Sequence, residues 1–513
     1  MRASVNWQRV SRQGWALLLI FILGLLARVA LWRADFRFHE DEALYSFWAL
    51  LIASGRDPTL AQTLIDKPPL FIYLLALTFK LLGHSEAVAR LPGLLSSLVS
   101  IPLLYDLCRQ LYDRSTALLA TVLMALSPFN ILFAPTVFID PFLVCLVLAS
   151  LWLLVRKRMF GAGLAIGLAV AAKQGGLLFV PLVLAVAWAL ARSSSSAQGA
   201  EARQAQVWLV RKDGLKAPPL TPPVRFVLGF LLVMLPIIWW DGTRLRRPGF
   251  LEQSFISYGG LELVSPFQAL ERLGDWLGML QYVTASSLLN LVLLLCLPLL
   301  LFAIWRRSDR GVLIDGVLLG FVALYLLVHT VLSFSVWDRY LLGLVPLLSI
   351  LLARGLLVGY RLMPPLWRLA GLRAVWPLTL FLLVALLPPA ARAAAGGYPV
   401  GGDHGAYQGI EAVVAYLEAQ AAPDSIIYHH WLGWHLAYYL FDTPLTPRWY
   451  PTPASLVADA QALAPRPRYL VVPSWKSETR ERQALAREGL GLYPRFQAHR
   501  PDRSVSFTLY QIK

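Results

Sequence analysis

The chain has 513 residues, of which 57% are hydrophobic and 15% charged, whereas soluble domains carry about 25% charged residues. That composition excludes a soluble globular protein and marks a polytopic membrane protein. The formal charge of +16 does not point to nucleic acid, because the arginines cluster in short loops between apolar runs and no basic face interleaved with aromatics occurs.

In chain order, Arg2, Arg9 and Arg12 precede an apolar run over 14–33 that lacks a small-residue cleavage site, so it reads as a retained first span. An acidic cluster follows, His39-Glu40-Asp41-Glu42, and after a spacer Asp66-Lys67-Pro68-Pro69. Residues 70–82, bracketed by Lys67 and Lys80, are too short for a span of roughly 17–25 residues and are expected to form an interfacial or re-entrant helix. Runs long enough to cross fall at 88–108, 115–133 and 138–155. A further pair over 159–191 is divided by Lys173-Gln174-Gly175-Gly176. The polar stretch 193–223 reads as a disordered loop. Spans resume at 224–240, 285–305, 312–333, 340–358 and 375–391, with an outer loop at 241–283. The expected fold is therefore an α-helical membrane domain over 1–395, with about eleven to thirteen transmembrane helices.

Past the linker Ala395-Gly396-Gly397-Tyr398-Pro399, a small α/β domain is expected over 396–513. Its elements are a helix from Ile410 to Leu417 and strands at Ser425–Tyr428, Tyr469–Val472 and Val505–Ile512. Cys108, Cys145 and Cys296 lie far apart in or at the ends of apolar runs and read as buried small hydrophobes. No internal repeat suggests a transporter built from two halves.

Orientation follows from retention of Lys and Arg inside. Arg109 and Arg114, Arg156-Lys157-Arg158, Arg192 to Arg225, Arg306-Arg307 and Arg361 to Arg373 read as cytoplasmic, together with the N-terminus. Asp41, Asp140, Lys173, residues 241–283, Trp337-Asp338-Arg339 and the C-terminal domain then lie outside the plasma membrane. Each charged residue has an ordinary reading taken alone. Asp140 before Pro141 suits a helix cap, Lys173 a snorkelling side chain and Lys67-Pro68-Pro69 a helix start. Paired acids beside a span have no packing reason to be there. Gathered at one surface, a carboxylate base and phosphate-holding cations suggest transfer chemistry on a lipid-linked substrate. A transporter or flippase, or another lipid-phosphate transferase or ligase, would use some of the same charges.

These residues also carry a resemblance. Asp41-Glu42-Ala43-Leu44-Tyr45, Asp66-Lys67-Pro68-Pro69-Leu70, Gly83 to Pro92, Ile139-Asp140-Pro141, Ala172-Lys173-Gln174-Gly175 and Trp337-Asp338-Arg339-Tyr340 resemble motifs of the GT-C membrane glycosyltransferases. The nearest branch looks like glycosyltransferase family 39, with the bacterial relatives of protein O-mannosyltransferases and of the lipid A aminoarabinose transferase. The resemblance implies a sugar donor on polyprenyl phosphate within the membrane lipid. The acceptor would be a hydroxyl of a lipid, an envelope glycan or a protein, attacked with inversion. It implies Asp41 as general base, Glu42 supporting the base or binding the acceptor, and Lys67, Lys173 and Arg339 on the donor phosphate. Asp140, Tyr45 and Tyr340 would position substrate. Some members carry arginine where Leu44 stands, so that contact is absent here. Some bind a divalent metal through an acid and a histidine. Asp66 stands at the comparable position, with His39, His429 and His430 as candidate partners.

The segment Tyr428 to His435, with Tyr438 and Tyr439, reads either as a sugar- or acceptor-docking surface or as an amphipathic helix packing its aromatics. Zinc at His429, His430 and His435 would lack a carboxylate or cysteine at ligand spacing.

Overall fold

The apolar runs become helices because a chain in hydrocarbon must satisfy its backbone polar groups internally. A computed structural model of the chain describes residues 12–34, 36–197, 220–244, 248–306, 309–362 and 375–513. Among these, eight helices are long and apolar enough to cross a membrane: Gln13–Trp32, Glu86–Leu111, Gln174–Arg192, Pro222–Gly242, Ser287–Arg306, Arg310–Val331, Asp338–Leu362 and Val375–Ala394. Four further apolar helices are shorter, Leu70–Leu82, Arg114–Leu126, Asp140–Val155 and Met159–Ala172. The run expected over 115–133 is not one helix. Ser127 interrupts it, accepting from the Asn130 amide at 3.5 Å, and a short helix Pro128–Phe133 starts anew. Residues 193–197 are helical within Val180–Ala197 rather than part of a polar loop. The rest of that loop over 198–219, Arg2, Arg9, Arg307 and the stretch 363–374 with Arg373 lie outside the described residues.

Contacts group the chain into two units. The first comprises Met1–Arg33, Thr59–Leu74 and Arg90–Gly401. Within it, Asp140–Val155 and Met159–Ala172 form a hairpin turned at Arg156-Lys157-Arg158. At the turn, Asp106 accepts from Arg109 at 2.6 Å, from Arg156 at 2.6 Å and from the Trp152 indole at 2.8 Å. Helix Met159–Ala172 packs closely on Pro222–Gly242, as small residues allow in membranes. A Cβ at Gly163 would lie 1.9 Å from the Phe226 carbonyl oxygen, and one at Gly229 would lie 2.1 Å from that of Phe160. Arg28, fully buried, ties three helices by donating to Ser97 Oγ at 3.0 Å and to the carbonyls of Gly24 and Ala125 at 2.9 and 2.8 Å. Arg354 clamps the buried Asp315 through Nε and a terminal nitrogen, both on Oδ2, at 3.0 and 2.8 Å.

The second unit comprises Ala34–Pro58, Leu75–Ala89 and Gly402–Lys513. Its sheet holds β1 (Ile426–His429), β2 (Thr446–Trp449), β3 (Arg468–Pro473), β4 (Leu492–His499) and β5 (Val505–Ile512) in the order β2-β1-β3-β5-β4. The first three are parallel, and β5 runs antiparallel to both β3 and β4. Helix Ile410–Gln420 buries Ile410, Val413 and Leu417 with Ile427, Val471 and Leu509 of the sheet. Leu456 and Leu485 from the helices Pro453–Ala462 and Thr479–Arg487 pack with Leu470 and Tyr510 in a second cluster. The sequence expectation locates β1, β3 and β5 but misses β2 and β4. Both are edge strands with mostly exposed side chains, so neither shows a buried apolar run.

Helix Glu40–Ala53 packs in the same unit against Gly433–Tyr439. Phe47 lies 6.3 Å from Trp434 and 6.1 Å from Phe441, ring centre to ring centre, and Phe38 lies 5.1 Å from Tyr438. Arg37 bridges Glu86 and Glu411, both at 3.2 Å. Part of the aromatic segment, Gly433–Tyr439, is thus helical and packs its aromatics on helix Glu40–Ala53, whereas Tyr428 and His429 belong to β1. His435 stacks on Tyr407 at 3.9 Å and donates from Nε2 to the Phe38 carbonyl at 2.9 Å.

Two outcomes follow from this packing. Burial holds the His435 ring down to about 4, with nearby His39 adding to it, and holds His429 to about 4 with His430 adding. Both are near 6.5 in an unfolded chain. The unfolded chain therefore binds more protons between those values, and stability is full above about pH 6.5 and falls as pH drops toward 4. The slope is about 1.4 kcal/mol per pH unit for each histidine. Thermal unfolding from pH 7.5 to 4.5 should show it, and His435→Gln should flatten the profile; an unchanged slope would mean that this ring does not titrate on unfolding. Gly163→Val should lower the unfolding midpoint in detergent by several degrees, since overpacking costs about 1–3 kcal/mol. Gly320→Ala, where nothing stands within 4 Å of the added carbon, should not.

Candidate functional site

Two prolines keep Lys67 out of the helix that follows, because a residue before proline avoids the α conformation. Its ammonium donates to Asp66 Oδ2 at 2.6 Å and to the Tyr258 hydroxyl at 2.9 Å, and sits 4.2 Å from the centre of that ring. Tyr258 ends the helix Phe250–Tyr258. The Gln174 amide joins the same place, donating to the Asp66 carbonyl at 3.1 Å and to Ser254 Oγ at 2.8 Å.

Lys173 stands where helix Met159–Ala172 stops, in extended backbone ahead of the 3-10 turn Gln174–Phe179. It donates to Asp140 Oδ1 at 2.6 Å and faces the Tyr340 ring at 4.8 Å. Asp140 is not the cap of its helix. Ile139 occupies that position, so Asp140 begins the first turn, where the helix dipole favours a carboxylate. Arg339, in the 3-10 turn Asp338–Leu344, lies against Phe138 at 5.2 Å and Tyr340 at 5.9 Å. The charges of Arg339 and Lys67 both reach Lys173. The first unit therefore gathers Lys67, Lys173 and Arg339, all at most 7% exposed, with Asp66, Asp140 and Tyr340. Three cations meet two carboxylates, an arrangement suited to a multivalent anion.

The acidic cluster belongs to the second unit. His39 caps helix Glu40–Ala53, its Nδ1 accepting from the Asp41 amide at 3.2 Å, and the Glu42 carboxylate accepts from the His39 amide at 2.9 Å. This is a capping box with histidine in place of serine or threonine. Glu42 is only 1% exposed and holds the turn that carries Asp41. Asp41 itself is partly exposed, and its charge with those of Glu40 and Asp403 helps burial push the Tyr407 hydroxyl up to about 12. Tyr45 is buried one turn further on, 5.8 Å from the Trp48 ring, and Leu44 is buried beside it.

Sequence reasoning missed Tyr258, Ser254 and Gln174 as partners of this cation cluster. Gln174 adjoins Lys173 in a motif already in view, whereas Tyr258 and Ser254 lie on the short helix Phe250–Tyr258, where no charge pattern marks them. Asp66 Oδ1 is buried without a hydrogen-bond partner, which would suit a cation. Among the described residues, however, no three His, Cys, Asp or Glu side chains converge as a metal site. His39 is engaged in the cap, and His430 Nδ1 lies 2.7 Å from the Tyr450 carbonyl. Among the described residues no set of side chains completes a metal centre around Asp66.

Residues 66–201, which hold Lys67, Asp140 and Lys173, match the dolichyl-phosphate-mannose-protein mannosyltransferase family. No curated protein matches the chain by sequence. Among solved structures, the chain is similar to ArnT from Cupriavidus metallidurans bound to undecaprenyl phosphate, at 18% identity and a TM-score of 0.61 over 98% of both chains. It is also similar to the oligosaccharyltransferase AglB from Archaeoglobus fulgidus in complex with an inhibitory peptide and a dolichol-phosphate. There the identity is 13% and the TM-score 0.51, over 96% of this chain and 74% of the other. A third likeness is to the arabinofuranosyltransferase AftD from mycobacteria, at 17% identity and a TM-score of 0.50, over 98% of this chain and 42% of the other. The chain has the fold of these structures, the GT-C fold, and the match to the dolichyl-phosphate-mannose-protein mannosyltransferase family is confined to residues 66–201.

Proposed function

We propose that this protein transfers a sugar from a polyprenyl-phosphate donor to an acceptor hydroxyl on the outer face of the plasma membrane. The observation that carries this reading is the buried cluster of Lys67, Lys173 and Arg339, three cations among apolar helices with two carboxylates between them. Buried charge is costly near lipid and is retained there for function. Two of the similar structures hold lipid phosphates, undecaprenyl phosphate and dolichol-phosphate. The N-terminus would be cytoplasmic and the C-terminal domain outside, as the basic loops indicate.

In the proposed reaction Asp41 takes the proton of the acceptor hydroxyl, and the oxygen attacks the anomeric carbon from the side opposite the phosphate. The glycosidic C–O bond to phosphate breaks, the configuration inverts, and polyprenyl phosphate leaves with the bonding electrons. Charge grows on the phosphate oxygens as this happens, so fixed cations lower the barrier. Lys67 and Lys173 act as point charges and Arg339 as a fork, with Tyr340 and Asp140 setting the Lys173 ammonium in place. Glu42 supports the base indirectly, by fixing the turn on which Asp41 stands, and Tyr45 packs behind it. The acceptor is a lipid, an envelope glycan or a protein hydroxyl.

Asp41→Asn keeps the shape of the side chain and removes its basicity. In nanodiscs supplied with a panel of radiolabelled polyprenyl-phosphate sugars and a membrane extract as acceptor, it should slow release of polyprenyl phosphate by about 10²-fold or more. Turnover close to that of the unaltered protein would reject Asp41 as the base. Lys67→Met should weaken binding of polyprenyl phosphate about 10- to 100-fold, as expected for loss of a charge-assisted hydrogen bond. Lys67→Arg should retain more of it. If both variants bind as before, Lys67 does not hold the phosphate.

A further inference from the structure

The α/β part of the second unit carries a cavity that the reaction does not use. In the order β2-β1-β3, the chain leaves β1 toward β2 and then crosses back over β1 to reach β3. The connections therefore diverge on either side of the β1–β3 boundary, and in open α/β sheets such a switch point opens a crevice beyond the carboxyl ends of the strands. A cavity of about 340 Å³ lies there, lined by residues that follow β1 and β2 and by the end of β3 with the segment after it. That is within the roughly 300–1,000 Å³ of small-molecule sites.

Its lining combines three kinds of surface. Trp431 is 49% exposed, and the Lys476 ammonium rests 4.5 Å from the centre of its ring, so that electron-rich face is covered by a flexible cation rather than by core. Acceptors come next. Glu481 receives the Tyr450 hydroxyl at 3.2 Å on Oε1, while its Oε2 is enclosed with no hydrogen-bond partner. His430 Nδ1 lies 2.7 Å from the Tyr450 carbonyl and must donate to it, which leaves Nε2 as the ring's remaining polar atom. Donors complete the set. Lys476 and Arg480 line the cavity, and among the described residues neither has an ion-pair partner.

We propose that this cavity binds a saccharide unit. A pyranose offers a face of C–H groups and an edge of hydroxyls, each of which both donates and accepts. The cavity presents the matching trio: an aromatic face covered by a displaceable lysine, an enclosed carboxylate oxygen that lacks a donor, and cationic donors beside it. An inorganic anion would use only the cations and would be repelled by Glu481. An apolar ligand would leave the carboxylate oxygen unsatisfied, which is costly when buried. The ring stacks on the Trp431 face, Lys476 swings onto a ligand oxygen, and hydroxyls donate to Glu481 Oε2 and His430 Nε2. The site needs neither donor lipid nor turnover, so it stands or falls apart from the proposed transferase reaction.

The test uses the full chain in lipid nanodiscs, free of sugar detergents. Methyl α-pyranosides of mannose, glucose and galactose are titrated by calorimetry and by saturation-transfer NMR, with inorganic phosphate as competitor. At least one glycoside should bind saturably, Trp431→Ala and Glu481→Gln should each weaken it about tenfold or more, and Trp431→Phe should restore most of the affinity. Trp431 is exposed, so its replacement leaves the core intact. The proposal is overturned if no glycoside binds saturably, if the two variants bind as well as the unaltered protein, or if phosphate displaces the ligand at equal concentration.

Discussion

An ammonium group held among apolar helices needs an opposite charge in contact, and the 2.6 Å pair of Lys173 with Asp140 shows what that requirement imposes on the chain. Isolated burial of either ion would cost several kcal/mol. The two residues stand together at the open end of one hairpin, one on each arm, so its arms must match in length. They do: the helices are 16 and 14 residues long. At the other end of that hairpin Arg156 reaches Asp106. One ion pair thus closes the hairpin at its open end, another ties its turn to the helix Leu91–Leu111, and the apolar stretch between them meets its neighbours through glycine.

The cation cluster is assembled wholly from interrupted chain. Lys67 precedes two prolines, Lys173 lies in extended backbone after a helix end, and Arg339 sits in a 3-10 turn. Irregular backbone at membrane depth is tolerated where protein buries it or where it lines a cavity. The chain prepares for it locally. Gly176 lets the turn after Lys173 fold back on helix Met159–Ala172, where a Cβ would lie 2.6 Å from the Ala169 carbonyl carbon. Breaks in regular structure are what bring three cations from distant parts of the sequence to one place.

What could be read from the sequence follows from this physics. Apolar runs announce themselves by length, so nearly every span was visible. The break at Ser127 was not, because serine followed by Pro128 sits inside an otherwise continuous apolar stretch. Lys67, Asp140 and Lys173 stood out as charges where charge is expensive. Tyr258 and Ser254 did not, since a tyrosine or serine on a short helix between spans has no such cost to betray it. The β2 strand Thr446-Pro447-Arg448-Trp449 escaped notice because an edge strand needs no apolar alternation, and proline is tolerated there. Glu42 was legible as an acid but not as a cap, because the usual signature begins with serine or threonine and here begins with histidine.

On the proposed reaction, the two carboxylates inside the cation cluster have a consequence beyond solvation. Three unpaired cations would grip a lipid phosphate firmly in both substrate and product, and a product phosphate that cannot leave stops turnover. Asp66 and Asp140 already occupy the lysines at 2.6 Å. A phosphate entering the cluster must compete with them for the same hydrogen bonds, and a phosphate leaving is replaced by them without exposing a bare ammonium. Ground-state affinity is thereby lowered, while the extra charge that develops on the phosphate as the glycosidic bond breaks still meets fixed donors. Interactions that strengthen only as the bond breaks are those that raise rate rather than binding. The internal carboxylates convert an anion trap into a site that an anion can pass through.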